Sequence, residues 1–103
     1  MLKAVFLLPR RKDLTHAAFV DRWAAHRALM EKVPGALRVE WAEAIAAPDG
    51  RPPYDAIVEI WFDDLDGVRE AIVSDEAKRA EDNLVDFVDI PRYEVFLTVE
   101  KET

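Results

Sequence analysis

The sequence contains no cysteine, and only three of its 103 residues are glycine. Without cysteine there can be no disulfide framework, no thiolate zinc site and no cysteine nucleophile. The isolated glycines at positions 35, 50 and 67 cannot form a dinucleotide fingerprint or a glycine-rich phosphate loop. The serine-hydrolase elbow and the zinc-protease helix motif are missing as well, so these reaction classes are disfavoured.

The chain has fewer basic than acidic residues. It contains 14 Lys and Arg and 21 Asp and Glu, which gives a net charge of -7. Binding to a phosphate backbone depends on Lys and Arg displacing counterions, so nucleic acid is not expected as a partner. The basic cluster Arg10-Arg11-Lys12 is typical of a solvated turn. No run approaches the ~18 apolar residues of a membrane span, and the apolar start is too short for a signal peptide. We therefore expect a cytoplasmic protein that does not bind membranes.

The apolar content is sufficient for one ordinary domain over residues 1–103, since 50% of the residues are hydrophobic and 10% are aromatic. Apolar alternation predicts four strands, at residues 1–9, 36–46, 54–62 and 92–99. Helical spacing predicts a first helix within residues 14–35, where Thr15 is a typical N-cap and Pro34-Gly35 a typical stop. A second helical region begins after an aspartate at 63 or 64 and is predicted to be broken, with a fresh start at Ser74.

The order β-α-β-β-α-β predicts an α+β fold of the ferredoxin-like type. In this βαββαβ arrangement a four-stranded antiparallel sheet carries both helices on one face. Three of the predicted strands have apolar residues on both sides, so the face without helices would expose an apolar patch, which usually marks an interface. We therefore expect a homodimer that packs through this sheet face. The candidates for the patch are Val5, Leu7, Ile57, Trp61 and Phe96.

A titratable ring lies on the apolar side of the first predicted helix. At about 100° per residue, His26 shares that side with Phe19, Trp23, Met30 and Val33. An imidazole titrates near neutral pH, and an apolar pocket would lower its pKa, so His26 is a candidate general base or acid. The alternative is a core histidine that donates to a backbone carbonyl. His16 lies about 15 Å along the same helix, too far to share a metal ion with His26, and we expect no metal and no cofactor.

Two carboxylates are further catalytic candidates, because each could polarise the imidazole. Glu59 interrupts an apolar strand, and a buried carboxylate needs a partner. In the structural alternative this partner is Lys3, Arg38 or Arg92. Asp89 precedes the last strand, where it would either close a pocket or form a turn. Aromatic side chains would line such a pocket for a small hydrophobic ligand, or else belong to the plain core. The candidate substrate-binding residues are Phe19, Trp23, Tyr54, Trp61 and Phe87.

Several features occur in a specific order along nearly the whole chain. They are Leu8-Pro9-Arg10-Arg11, a helix with Phe19, Trp23 and His26, the stop Val33-Pro34-Gly35, the segment Pro53-Tyr54-Asp55 before an apolar strand, and Phe87-Val88-Asp89. In this order and spacing the sequence resembles the EthD family of the dimeric α+β barrel superfamily. The family usually has one more residue between its helix tryptophan and histidine than separates Trp23 from His26.

The resemblance implies a homodimer whose two sheets pack into a barrel, with a small pocket in each protomer between the sheet and the helices. EthD-family members are associated with degradation of an ether fuel additive beside a cytochrome P450 system. Related proteins in the superfamily include cofactor-free polyketide cyclases, decarboxylases, isomerases and monooxygenases. Because one fold supports many activities, the resemblance suggests these reaction types but does not identify which of them this protein performs.

Two functional hypotheses follow. In the first, the protein is a cofactor-free homodimeric enzyme that transfers a proton on a hydrophobic, aromatic or polyketide-like small molecule, in a lyase, isomerase or cyclase reaction. Cofactor-free oxygenase chemistry is a less favoured version of it, because stabilised carbanions can react with oxygen directly. In the second, the protein is a non-catalytic small-molecule-binding or accessory protein of an oxidoreductase pathway.

Overall fold

The computed structural model describes residues 1–101, which form four strands and three α-helices. The strands are β1 (Leu2–Leu8), β2 (Arg38–Glu43), β3 (Ala56–Phe62) and β4 (Glu94–Val99). The helices are α1 (His16–Met30), α2 (Leu65–Ile72) and α3 (Asp75–Leu84), and a short 3-10 helix, Ile90–Arg92, precedes β4. This arrangement confirms the prediction of an α+β, ferredoxin-like fold.

The four strands form one antiparallel sheet in the order β2-β3-β1-β4. Successive side chains of a strand point to opposite faces of its sheet. Alternate residues of β3 from Ala56 to Phe62 are buried, while Ile57, Glu59 and Trp61 between them are only partly buried. The helices therefore cover the face that carries the buried set, and the opposite face of the sheet is open.

The open face exposes less apolar surface than the sequence predicted. Of the five patch candidates, Phe96 is 47% exposed, whereas Val5 is only 6% exposed and Leu7, Ile57 and Trp61 are partly buried. Within the four strands, the exposed large apolar side chains lie on the edge strand β4. They belong to Val95, Phe96, Leu97 and Val99. A second chain could therefore cover apolar surface on β4, at the edge of the sheet, and not only on the open face.

The ends of the helices follow the predicted capping residues, with one difference. The Thr15 hydroxyl accepts the N–H three residues further on at 3.1 Å. Helix α1 ends at Met30, four residues before Pro34, because the N–H groups of Lys32 and Val33 bond three residues back in tighter turns. Gly35 follows with a φ of +81°, a conformation that glycine adopts without strain. The second helical region is broken as predicted, and Ser74 caps α3.

Candidate functional site

A cavity of about 390 Å³ lies between the helix-covered face of the sheet and the helices. This volume is in the range of about 300–1,000 Å³ that is usual for small-molecule sites. Its wall is apolar except for three side chains, which are His26, Glu81 and Tyr93. Val95 and Leu97 of β4 also line the cavity and are about half exposed, so the cavity opens toward this edge strand.

His26 lies on the cavity side of α1 and is only 1% exposed. Its Nδ1 lies 2.9 Å from Oδ1 of Asn83 on α3. The amide nitrogen of Asn83 donates to the Asp86 carboxylate at 3.3 Å, which leaves the Asn83 oxygen to accept from the histidine. Nδ1 therefore carries the proton, and Nε2 is the ring nitrogen with a lone pair available to a molecule in the cavity.

The surroundings of His26 favour the neutral imidazole. Burial lowers the pKa of His26, and the hydrogen bond to Asn83 opposes this only in part. A neutral ring with Nδ1 protonated is a proton acceptor at Nε2, which is the form that a general base needs at neutral pH. The ring of Phe87 packs on His26 with its centroid 5.2 Å away and restricts the orientation of the imidazole.

Tyr93 provides a second polar group in the cavity wall. Burial, together with the negative charge of Glu81, raises the pKa of Tyr93 to about 12. The phenol therefore stays protonated and can donate a hydrogen bond to an oxygen of a bound molecule. The cavity thus combines a proton acceptor on α1 with a hydrogen-bond donor just before β4.

Sequence reasoning missed Tyr93, Asn83 and Glu81, although weak signals for the first two exist. Tyr93 is two residues before Val95 and in phase with the apolar side of the last strand, which faces the helices. Asn83 is three residues after Ala80, on the buried side of α3. A polar residue on a buried helix face is the same signal that singled out His26.

Three of the predicted substrate-binding aromatics form the core beside His26. Phe19 and Phe87 are fully buried and Trp23 is 3% exposed. Phe19 contacts both of the others, with ring centroids 5.5 Å from Phe87 and 6.2 Å from Trp23. These rings lie outside the cavity wall, with Trp23 packed against Trp41 at a centroid distance of 4.0 Å. They support the histidine rather than contact the space that a ligand would fill.

Glu59 and Trp61 lie on the open face of the sheet, away from the cavity. The Glu59 carboxylate pairs with the Lys3 ammonium at 2.7 Å, and Lys3 is one of the structural partners expected for it. The Trp61 indole donates to Glu100 at 2.8 Å, and the Lys3 ammonium lies over its ring. The structure therefore does not bring Glu59 to His26 within one chain, because the sheet separates them.

Tyr54 and Asp89 lie at the same end of the sheet, near the segments that connect strands. The Tyr54 phenol donates to Glu94 at 2.9 Å. The Asp89 carboxylate lies 3.6 Å from Arg92, and the Asp89 N–H donates to the Pro9 carbonyl at 2.9 Å. Both residues lie outside the cavity wall, so the amide of Asn83, not a carboxylate, contacts the imidazole.

Within residues 1–101, no group of three His, Asp or Glu side chains is placed to hold a metal ion. His16 instead interacts with the carboxylates of Glu43 and Asp55. In the same residues, no helix combines the length and the apolar character that a membrane crossing requires.

Solved structures of other proteins share this fold. An EthD family protein from Bacillus halodurans is 22% identical, with 98% of this chain and 99% of that chain covered and a TM-score of 0.86. A dimeric ferredoxin-like protein of unknown function from Jannaschia is 15% identical, with 96% and 98% covered and a TM-score of 0.78. SnoaB, a cofactor-independent oxygenase from Streptomyces nogalater, is 18% identical, with 99% and 94% covered and a TM-score of 0.67.

No protein with a curated description matches the sequence. The family model of the EthD domain matches residues 11–91, which include α1, the sheet strands β2 and β3, and the Asn83 and Phe87 contacts of His26. Because the match extends over most of the chain, this protein belongs to the EthD family.

Proposed function

We propose that this protein is a cofactor-free homodimeric enzyme that removes or transfers a proton on a small hydrophobic molecule held in the cavity. The observation that carries the proposal is the buried, neutral imidazole of His26, with Nε2 available in an otherwise apolar space. Proton transfer by a positioned base contributes about 10²–10⁴-fold to a rate. Lyase, isomerase and cyclase reactions that proceed through a carbanion or enolate begin with such a step.

The roles of the cavity residues follow from their protonation states. The Nε2 atom of His26 accepts a proton from carbon or oxygen of the substrate, while Asn83 holds Nδ1–H and stabilises the imidazolium that forms. The protonated Tyr93 donates to the oxygen on which negative charge develops. The apolar wall keeps water away from the resulting anion.

The apolar edge strand supports the dimer. Val95, Phe96, Leu97 and Val99 leave exposed apolar surface on β4, beside the mouth of the cavity. A patch of this kind commonly marks an interface. Related structures that are described as dimeric are consistent with this arrangement. A second chain packed here would cover the mouth and make the cavity drier.

The test uses exchange of a proton with solvent, which does not require the natural product to be known. Small hydrophobic ketones with acidic C–H bonds are first screened for binding by ligand-observed NMR. Deuterium incorporation into the binders is then followed in D₂O. His26→Gln should keep the affinity within a few fold and lose the exchange rate by about 10²-fold or more. Tyr54→Phe, outside the cavity, is the matched control and should exchange like the wild type. Equal exchange by His26→Gln and the wild type would refute the proposal.

The structural similarity to SnoaB, a cofactor-independent oxygenase, suggests a second measurement in the same experiment. Removal of a proton to give a stabilised carbanion is also the first step of cofactor-free reaction with oxygen. Oxygen consumption measured with the same binders therefore separates the two outcomes. Consumption that depends on His26 assigns oxygenase chemistry, whereas exchange without consumption assigns lyase, isomerase or cyclase chemistry.

The second candidate function is non-catalytic binding in support of an oxidoreductase. It is favoured by the hydrogen-bond partner of His26, which is the Asn83 amide and not a carboxylate, because a neutral imidazole can simply accept a hydrogen bond from a ligand hydroxyl. In this case His26→Gln would weaken binding of hydroxyl-bearing ligands, and the wild type would catalyse no exchange.

A further inference from the structure

A second concavity, of about 470 Å³, lies at the end of the sheet and is lined by cations. Its side chains come from three segments that are distant in sequence. They are Arg10, Lys12, Arg51, Pro52, Pro53, Asp55 and Arg92. The lining has four cations and one carboxylate, Asp55, which pairs with Arg10; Asp89, just outside the lining, lies 3.6 Å from Arg92, so two of the cations remain unpaired within residues 1–101 in a protein whose net charge is -7. A concentration of positive charge against the overall charge of the chain is unusual and attracts anions.

Two of the arginines are held in place by the fold. The Arg10 N–H donates to Asp55 at 2.8 Å, and the Arg10 guanidinium contacts both Asp55 and the carbonyl of Leu14. The Arg92 guanidinium donates to the Pro53 carbonyl at 2.8 Å. A guanidinium has five N–H donors, so each of these arginines keeps donors for a further acceptor. Fixed guanidinium groups lose little conformational entropy when they bind an anion.

The other two cations are not neutralised within the described chain. Lys12 and Arg51 form no ion pair with any residue in the range 1–101. Both are exposed and approach the concavity from different segments. The adjacent Pro52 and Pro53 stiffen the wall between Arg51 and the fixed guanidinium of Arg92.

We infer that this concavity, the cationic cleft, is a binding site for a phosphate group of a small molecule. A phosphate dianion presents oxygens in several directions and can meet cations on different walls at once, whereas a monocarboxylate has one charge and two oxygens in a plane. The size of the cleft suits a small phosphorylated molecule. The site is independent of the proposed chemistry at His26, because its lining shares no residue with the cavity.

The experiment titrates the whole protein with inorganic phosphate at about pH 8, where phosphate is mostly a dianion, at constant ionic strength. Backbone amide shifts in two-dimensional ¹H–¹⁵N NMR spectra report binding at the cleft. Saturable shifts should occur at Arg10, Lys12, Arg51 and Arg92. Acetate should bind at least about tenfold more weakly than phosphate.

Charge-matched variants distinguish phosphate binding at the cationic cleft from general electrostatic attraction of phosphate to the protein. Lys12→Ala/Arg51→Ala should weaken phosphate binding by about tenfold or more, because two charge-assisted contacts are lost. Lys32→Ala/Arg69→Ala removes the same charge from exposed positions outside the cleft and should change the affinity by less than about twofold. Shifts that do not saturate, equal weakening by both double variants, or equal affinity for acetate would each overturn the assignment.

Discussion

Replacing Asn83 with leucine tests whether this amide holds His26 in its base form. The substitution removes the acceptor that lies 2.9 Å from Nδ1, and the imidazole is only 1% exposed. A buried donor without a partner costs about 1–3 kcal/mol. In a domain of this size each kcal/mol lowers the melting temperature by about 4–8 °C. We therefore expect Asn83→Leu to lower the melting temperature by about 4–24 °C.

A double-mutant cycle isolates the contact from other effects of the leucine. The free energy of unfolding is measured in urea at about pH 7.5, where the imidazole is neutral in both states, for the wild type, Asn83→Leu, His26→Leu and the double variant. When both partners are apolar no buried donor is left unpaired, so the double variant should be less destabilised than the sum of the singles by about 1 kcal/mol or more. Additivity within about 0.3–0.5 kcal/mol would refute the idea that these side chains are hydrogen-bonded.

Four further predictions concern titration and packing. Burial lowers the pKa of His26 in the folded state, so below about pH 6.5 the unfolded state takes up a proton that the folded state resists. The free energy of unfolding should then decrease as the pH is lowered below about 6.5, by up to about 1.4 kcal/mol per pH unit. This dependence on pH should be absent in His26→Leu. The pKa of Tyr93 is raised to about 12, so ultraviolet titration of Tyr93→Phe should lack the late phenol ionisation; an unchanged curve would contradict this. Glu59→Gln loses a partly exposed pair with Lys3 and should cost at most about 1 kcal/mol in urea unfolding. Phe87→Ala removes a fully buried ring and should cost about 3–5 kcal/mol in the same assay, and a value below 1 kcal/mol would contradict its central position.

Local patterns were sufficient to predict the elements and the position of the histidine. The apolar spacing of α1 placed His26 on the buried face, and it is buried there. The segment Ser74-Asp75-Glu76 predicted the new start at α3, from a capping hydroxyl followed by acidic residues, and the Ser74 hydroxyl accepts the Ala77 N–H at 3.1 Å. These features depend on neighbours a few residues apart, which a sequence displays directly.

The composition of the cavity depends on contacts between distant segments and could not be predicted in the same way. Strand β3 is apolar on both sides, so its pattern does not say which side receives the helices. Glu59 was for this reason a candidate partner of His26, although it lies on the open face with Lys3. Asn83 reaches His26 only because α3 packs on α1, and this pairing joins residues 57 positions apart.

The position of β1 in the sheet has a consequence for how the chain folds. Leu2 lies opposite Phe62 on one side and Val99 on the other, so both neighbours of the first strand come from far along the chain. Closing such long loops costs entropy before any strand-pairing energy is gained, which slows folding relative to proteins rich in local contacts. During synthesis β1 must wait without a partner until β3 has emerged. Its apolar side chains, such as Phe6 and Leu8, are exposed to other chains during this time. We therefore expect chaperones that bind extended apolar segments to bind β1 at this stage.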